Sequence, residues 1–118
     1  MTGDISKAFA RLKRAADGLP GVTEGTSYGT PALKVGKKML ARMKGAATVV
    51  LPCPIEEREM LLQAAPAVYF ETDHYRDWPL VLARMEAIGD DELGHRLERS
   101  WSMLAPKMLS KARRVGRT

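Results

Sequence analysis

The residue types that could perform acid–base chemistry meet in one polar and aromatic segment. His74 stands between Asp73 and Asp77, and a histidine that titrates near neutrality between two carboxylates would suit a general base. The same segment carries Tyr75 and Trp78. A loop histidine beside aromatic residues more often packs and forms hydrogen bonds that fix the turn. We therefore assign no catalytic residue in this segment.

Other catalytic chemistries have even less support in the sequence. His74 and His95 show none of the spacings typical of metal ligands, so we expect no metal site and no cofactor. Cys53 lies between two prolines without a basic neighbour within three positions, which favours an inert thiol. No serine stands in a nucleophile elbow, and no glycine-rich loop matches a phosphate cradle. We expect a binding module and not an enzyme.

Basic residues offer a second kind of chemistry, the binding of phosphate groups. Candidate contacts with a nucleic-acid backbone are Lys7, Arg11, Arg14, Lys34, Lys37, Lys38, Arg113 and Arg114. The first three follow i, i+4, i+7 spacing on one helix face, and the next three lie around a hairpin. If these groups converge, they could bind DNA through its backbone with little sequence selectivity, because no recognition helix is apparent. Alternatively, they only solvate the surface.

The charge is strongly polarised along the chain. Residues 1–44 hold nine basic and three acidic residues, residues 45–106 hold five and eleven, and residues 107–118 hold five and none. The net charge of +5 therefore equals that of the tail. A protein that coats DNA with a uniformly basic surface would not show this pattern.

The elements that must position these residues follow from hydrophobic periodicity and from turn residues. An amphipathic helix is predicted over roughly 4–17, further helices over 54–65 and from Asp90 onward, and strands at Thr23–Tyr28, Ala32–Val35, Met39–Met43, Ala47–Leu51, Val68–Glu71 and Leu80–Ile88. The closely spaced turn residues indicate an antiparallel meander. The predicted fold class is α+β, a two-layer sandwich with one antiparallel sheet of five or six strands and helices on one face.

Length and composition predict one domain over residues 1–106 and a basic extension over 107–118. The first residues contain no apolar stretch typical of a signal peptide, and no segment approaches membrane-spanning length. One cysteine cannot form an internal disulfide, which fits a reducing compartment. We expect a cytoplasmic monomer.

Several segments carry a family resemblance. Leu19–Glu24, Tyr28–Val35 and Gly36–Ala41 are similar to the LPGVxE…(W/Y)GxPxxKVxGKxFA opening of the MmcQ/YjbR family, Thr72–Pro79 resembles its second signature, and Asp91–Leu93 with Trp101 resembles its closing helix. Met39 and Leu40 depart from the pattern where the family often has an aromatic residue. The resemblance implies a fold like that of secretion chaperones, and the family is commonly labelled DNA-binding.

The aromatic residues of these signatures suggest an alternative to DNA. Tyr28, His74, Tyr75 and Trp78 could line a groove for a peptide or a small molecule, although an ordinary core would contain the same residues. We expect Trp78 and His74 to pack together or against Tyr28. Trp78→Ala would then cost on the order of 3 kcal/mol or more through lost aromatic burial.

Overall fold

The computed structural model describes residues 5–76 and 78–105 and, of His74, the backbone. Its helices are α1 (Ile5–Ala15), α2 (Ile55–Ala64) and α3 (Asp90–Leu104), and its strands are β1 (Val22–Ser27), β2 (Thr30–Val35), β3 (Lys38–Lys44), β4 (Thr48–Pro52), β5 (Tyr69–Phe70) and β6 (Leu80–Arg84). A short 3-10 helix spans Asp73–Tyr75. The three helices and six strands lie where the sequence patterns predict them. The predicted domain boundary at residue 106 stays a prediction.

All six strands form one antiparallel sheet in the order β1-β2-β3-β4-β6-β5. The predicted fold class is therefore confirmed. The last predicted strand is wrong in length, because β6 ends at Arg84 and the chain then turns. The amide of Met85 donates to the carbonyl of Ala47, and those of Ala87 and Ile88 donate to the carbonyl of Arg84. The predicted strand was too long because Met85 and Ile88 are apolar. They are buried in the core, but they belong to the turn that follows β6.

The three helices cover one face of the sheet, which we call the helical face. Leu93, Leu97 and Trp101 recur at helical spacing in α3, and all three are buried. They belong to a core with Leu12 of α1 and Val49 of β4. The indole of Trp101 is 2% exposed and donates a hydrogen bond of 2.8 Å to the carbonyl of Pro20. This pairing satisfies the polar end of a side chain that otherwise packs as a hydrocarbon.

Ionic contacts fasten the helices to one another. Glu57 of α2 accepts hydrogen bonds from Arg96, at 3.0 Å, and from Arg99, at 3.2 and 3.3 Å, both on α3. Burial alone would raise the pKa of Glu57, but the hydrogen bonds from Arg99 and Arg96 lower it below its ordinary value of 4.5.

Burial raises the pKa of the nearby Cys53 thiol to about 11. That cysteine is thus held as a thiol, as the sequence predicts.

Within residues 5–76 and 78–105, no helix is both long and apolar enough to cross a membrane.

Candidate functional site

The opposite face of the sheet, here called the outer face, carries its own small apolar cluster. Val50, Leu80 and Leu82 are buried there, and Met39, Phe70 and Tyr75 pack against them. None of the three described helices covers this face, and the cover comes instead from the loop between β5 and β6. The outer face is therefore where an open site can form on this fold.

A groove of about 350 Å³ opens at this cluster. Its lining consists of Tyr28, Met39, Arg42, Val50, Tyr75, Trp78 and Leu80. The floor comes from β3, β4 and β6, the central strands of the sheet, while Tyr28 comes from the β1–β2 turn and Trp78 from the β5–β6 loop. The volume lies at the lower end of the range of sites that take small ligands.

Tyr28 occupies an unusual backbone conformation at the edge of this groove. Tyr28 and Gly29 form the two-residue turn between β1 and β2, with Ser27 paired to Thr30. Their φ angles are 53° and 78°, so both central residues are left-handed, as a type I′ turn requires. Glycine adopts this conformation freely, but a bulky aromatic residue pays about 1 kcal/mol or more. Because Tyr28 is also 88% exposed, its ring gains little burial in return.

Arg42 brings a positive charge into the groove. It lies on β3, is only 6% exposed, and donates hydrogen bonds to the hydroxyl of Tyr75 and, at 3.5 Å, to that of Thr30. Its guanidinium carbon lies 5.1 Å from the centre of the Tyr28 ring, a cation–π contact that orients the exposed tyrosine. No salt bridge found among the described residues involves Arg42. Among the described residues, the groove thus joins a guanidinium without a carboxylate partner to aromatic surfaces.

Arg58 of α2 holds the loop that carries Trp78. Its side chain is buried, and one guanidinium nitrogen donates to the carbonyls of Arg76, at 2.6 Å, and of Trp78, at 3.0 Å. A second nitrogen pairs with Glu59 at 3.0 Å. Since these are charge-assisted bonds to backbone atoms, Arg58 fixes the path of the loop and with it the position of Trp78.

Further cations lie along the outer face. Lys44 sits 5.4 Å from the ring centre of Tyr75, and Arg84 sits 4.3 Å from that of Phe70. Lys34 extends across Gly25 of β1, since a β-carbon added at that glycine would lie 3.4 Å from the lysine side chain. Cations stacked on aromatic rings thus recur on this side of the sheet. Together with Lys34 they give the outer face a positive character.

The structure brings three of the four predicted groove residues together, namely Tyr28, Tyr75 and Trp78. The side chain of His74 lies outside the described residues. Trp78 is 58% exposed and the ring of Tyr28 contacts Arg42, so neither ring is buried in this groove. The expected packing of Trp78 with His74 stays a prediction. The predicted loss of 3 kcal/mol or more for Trp78→Ala is corrected accordingly, since a half-exposed ring has little burial to lose.

The predicted basic surface is not formed as one patch among the described residues. Arg11 is committed to other contacts, because it donates to Asp90 at 2.6 Å and to the carbonyls of Met85 and Ile88. Lys7 and Arg14 lie with it on α1, on the helical face, whereas Lys34 reaches across the outer face. Lys37 and Lys38 are exposed at the β2–β3 turn, and Arg113 and Arg114 lie outside the described residues.

Sequence reasoning missed Arg42 as a groove residue and did not single out Arg58. Arg42 interrupts an otherwise apolar run, Met39–Met43, and a charge inside such a strand was a usable signal. Arg58 carries no comparable signal, since it resembles any exposed helix arginine until its partners are known. The described residues contain no group of three or more histidine, cysteine or acidic side chains that could hold a metal ion.

Comparisons with known proteins agree with this fold. Uncharacterized proteins of Mycobacterium bovis and Mycobacterium tuberculosis are 38% identical over 52 residues, which is 44% of this chain and 40% of the length of those relatives. The crystal structure of Deinococcus radiodurans protein DR2400, with the domain DUF419, matches with a TM-score of 0.72 at 24% identity. That match covers 92% of this chain and 86% of the other, and it concerns the fold alone.

The family assignment follows from the extent of the match as well as from the signatures. The model of the YjbR family matches residues 17–103, which is most of the chain and includes all six strands, α2 and nearly all of α3 but not α1. The resemblance drawn from the sequence is thereby confirmed, and the chain belongs to the YjbR family.

Proposed function

We propose that this protein is a binding module that receives an anionic ligand with an apolar or aromatic part in the outer-face groove. Tyr28 carries the argument. Its ring is exposed and its backbone is left-handed, so the residue costs stability where glycine or asparagine would not. A ligand that contacts both the ring of Tyr28 and the guanidinium of Arg42 would explain why a strained, exposed aromatic residue lies beside a buried arginine.

The groove supports binding better than catalysis. Its described lining offers apolar contact, three aromatic faces and one guanidinium, and none of these groups is a carboxylate or imidazole that could act as a general base near neutral pH. A ligand anion could pair with Arg42 while its apolar part lies over Met39 and Val50. The proposal therefore includes no reaction and needs no cofactor.

DNA bound through its phosphate backbone is the second candidate, and the placement of three lysines favours it. Lys34 lies across the outer face, and Lys37 and Lys38 are exposed at the adjacent turn. Affinity for duplex DNA would then fall with salt by a slope of about −0.9 for each phosphate contacted, and random and defined sequences would bind alike.

The DNA test must distinguish binding by the folded part from binding by the basic extension over residues 107–118. Lys34→Glu with Lys38→Glu should abolish the salt-dependent binding if the folded part is the binder. The matched control is Arg113→Glu with Arg114→Glu, which changes the same number of charges in the extension. If only the control pair abolishes binding, the extension attracts DNA by itself and the second candidate fails.

The indole signal of Trp78 in a proton–nitrogen correlation spectrum tests the groove directly. Of the two tryptophans, Trp78 is 58% exposed and Trp101 is buried, so the second provides an internal reference. The probes are a short duplex DNA, a short single-stranded DNA, and a peptide with a free carboxylate and one aromatic residue. At least one probe should shift the Trp78 signal and leave that of Trp101 in place, and Tyr28→Asn should weaken the effect. A Trp78 signal that no probe moves refutes the proposal.

We also propose that the protein acts as a monomer in the cytoplasm. The one cysteine of the sequence is buried as a free thiol, which suits a reducing compartment. Light scattering coupled to gel filtration tests the monomer, and fractionation of the source cells tests the compartment.

A further inference from the structure

We propose that the ligand of the groove is single-stranded nucleic acid, with a base stacked on Tyr28 or Trp78 and a phosphate at Arg42. This inference rests on the proposed function and names the class of its ligand. It begins with the two exposed aromatic residues. Every nucleic-acid base has a flat face that stacks on such rings, and stacking of this kind tolerates any sequence.

The groove offers a partner for each part of a nucleotide, with aromatic faces for the base and a guanidinium for the phosphate. Tyr28 and Trp78 reach the groove from opposite edges of the same face of the sheet, and the floor between them is largely apolar. The buried guanidinium of Arg42 lies within this apolar setting, where its attraction for a phosphate is stronger than in open water. A guanidinium also presents paired donors to phosphate oxygens, which a lysine cannot do.

The cations beyond the groove favour a polymer over a free nucleotide. Arg42 pairs in register with Ala32, which lies two residues before Lys34 on β2, so Lys34 and Arg42 are about 7 Å apart along the strand direction. Lys44 follows Arg42 by two residues, or about 7 Å. Lys37 stands at the turn beyond Lys34, whereas Lys38 pairs with Val35 and so begins on the helical side of the sheet. A strand that carries one negative charge per nucleotide could contact the other groups in succession, whereas a mononucleotide would meet only one or two of them.

A single strand suits this face better than a duplex does. The exposed rings of Tyr28 and Trp78 need an open base face, and in a duplex those faces are covered by neighbouring base pairs. The helices of the described chain lie on the other side of the sheet, so none of them is placed to enter a major groove from the outer face. Recognition by a sheet surface with stacked bases is a common arrangement for single strands.

Fluorescence anisotropy of the full-length protein with three labelled DNA probes tests this inference. The probes are a short oligothymidylate, an abasic strand of the same length and charge, and a duplex of the same length. The basic extension attracts the oligothymidylate and the abasic strand equally, so their ratio isolates the contribution of stacking. We expect oligothymidylate to bind about 5- to 100-fold more tightly than the abasic strand and more tightly than the duplex.

Two variants test whether the preference for oligothymidylate over the abasic strand arises in the groove. Trp78→Ala and Tyr28→Asn should each reduce the preference for oligothymidylate over the abasic strand, with melting temperatures near that of the parent. The abasic strand should itself bind with a salt slope of about −0.7 for each phosphate contacted, and the two variants should leave this slope unchanged.

Equal affinity for oligothymidylate and the abasic strand, or tighter binding of the duplex, would overturn the inference. So would a preference for oligothymidylate that persists in both variants. If the oligonucleotides leave the Trp78 indole signal in place while the carboxylate peptide moves it, the inference fails and the proposed function stands. If neither kind of probe moves the signal, both fail.

Discussion

The two faces of the sheet use the same residue types for opposite purposes. On the helical face, Trp101 is buried and its indole is paired with a backbone carbonyl. On the outer face, Trp78 is mostly exposed and lines an open groove. Arginines follow the same division, since Arg96 joins helices while Arg42 faces an open groove. The comparison teaches that the sheet separates a stabilising side from a side available to ligands.

The largest expected effect contrasts the two tryptophans. Trp101→Ala should lower the free energy of unfolding by about 3–5 kcal/mol, because it empties a fully packed site and leaves the carbonyl of Pro20 unpaired. Trp78→Ala should lower it by about 1 kcal/mol or less. Denaturation by urea, followed by circular dichroism, measures both. Equal losses would mean that the outer face is as important to stability as the helical face.

The next effect concerns the support of the groove. Arg58→Met should cost about 2–4 kcal/mol, because it removes charge-assisted bonds to the carbonyls of Arg76 and Trp78 from a buried site. Arg84→Met is the matched control, since Arg84 donates to the carbonyls of Pro66 and Ala67 from a more exposed position. The control should lose about 1 kcal/mol or less. Thermal melts measure the stability of both variants. Similar losses would mean that Arg58 stabilises the fold no more than Arg84 does.

The helical face should also make stability depend on pH. Glu57 has a lower pKa in the folded protein than its ordinary value of 4.5, because Arg99 and Arg96 hydrogen-bond to it. Its contribution is therefore complete above about pH 4.5 and is lost as the pH falls through the lowered folded-state pKa. Glu57→Gln should cost about 1.5–3 kcal/mol at neutral pH and flatten this acid limb. Denaturation at several pH values measures it, and an unchanged acid limb contradicts the assignment.

The smallest effect has the opposite sign. Tyr28→Asn creates the asparagine–glycine pair that type I′ turns favour, so stability should stay equal or rise by up to about 1 kcal/mol. Ligand binding in the groove should weaken in the same variant. Calorimetric melting and the anisotropy assay measure the two properties separately. A clear loss of stability would show that Tyr28 serves the fold, and the contrast between the faces would then be weaker.

Local sequence patterns determined most of the fold. The helical spacing of Ile5, Phe9 and Leu12 placed α1, and the spacing of Leu93, Leu97 and Trp101 placed α3. Glycines and prolines between short β-prone runs placed the strands, because these residues favour turns. The signatures of the chain also determined its family. These features are local, since they depend on residues close together along the chain.

Only the tertiary structure decided which distant side chains meet. Arg42 and Tyr75 are 33 residues apart and share a hydrogen bond, and Arg58 reaches carbonyls about 20 residues away. The two faces of the sheet likewise cannot be told apart from alternation, because both carry apolar residues near β4 and β6. Exposure of Trp78 and strain at Tyr28 depend on where the helices pack and how the β1–β2 turn closes. Such properties arise from contacts across the sheet, and a linear pattern does not encode them.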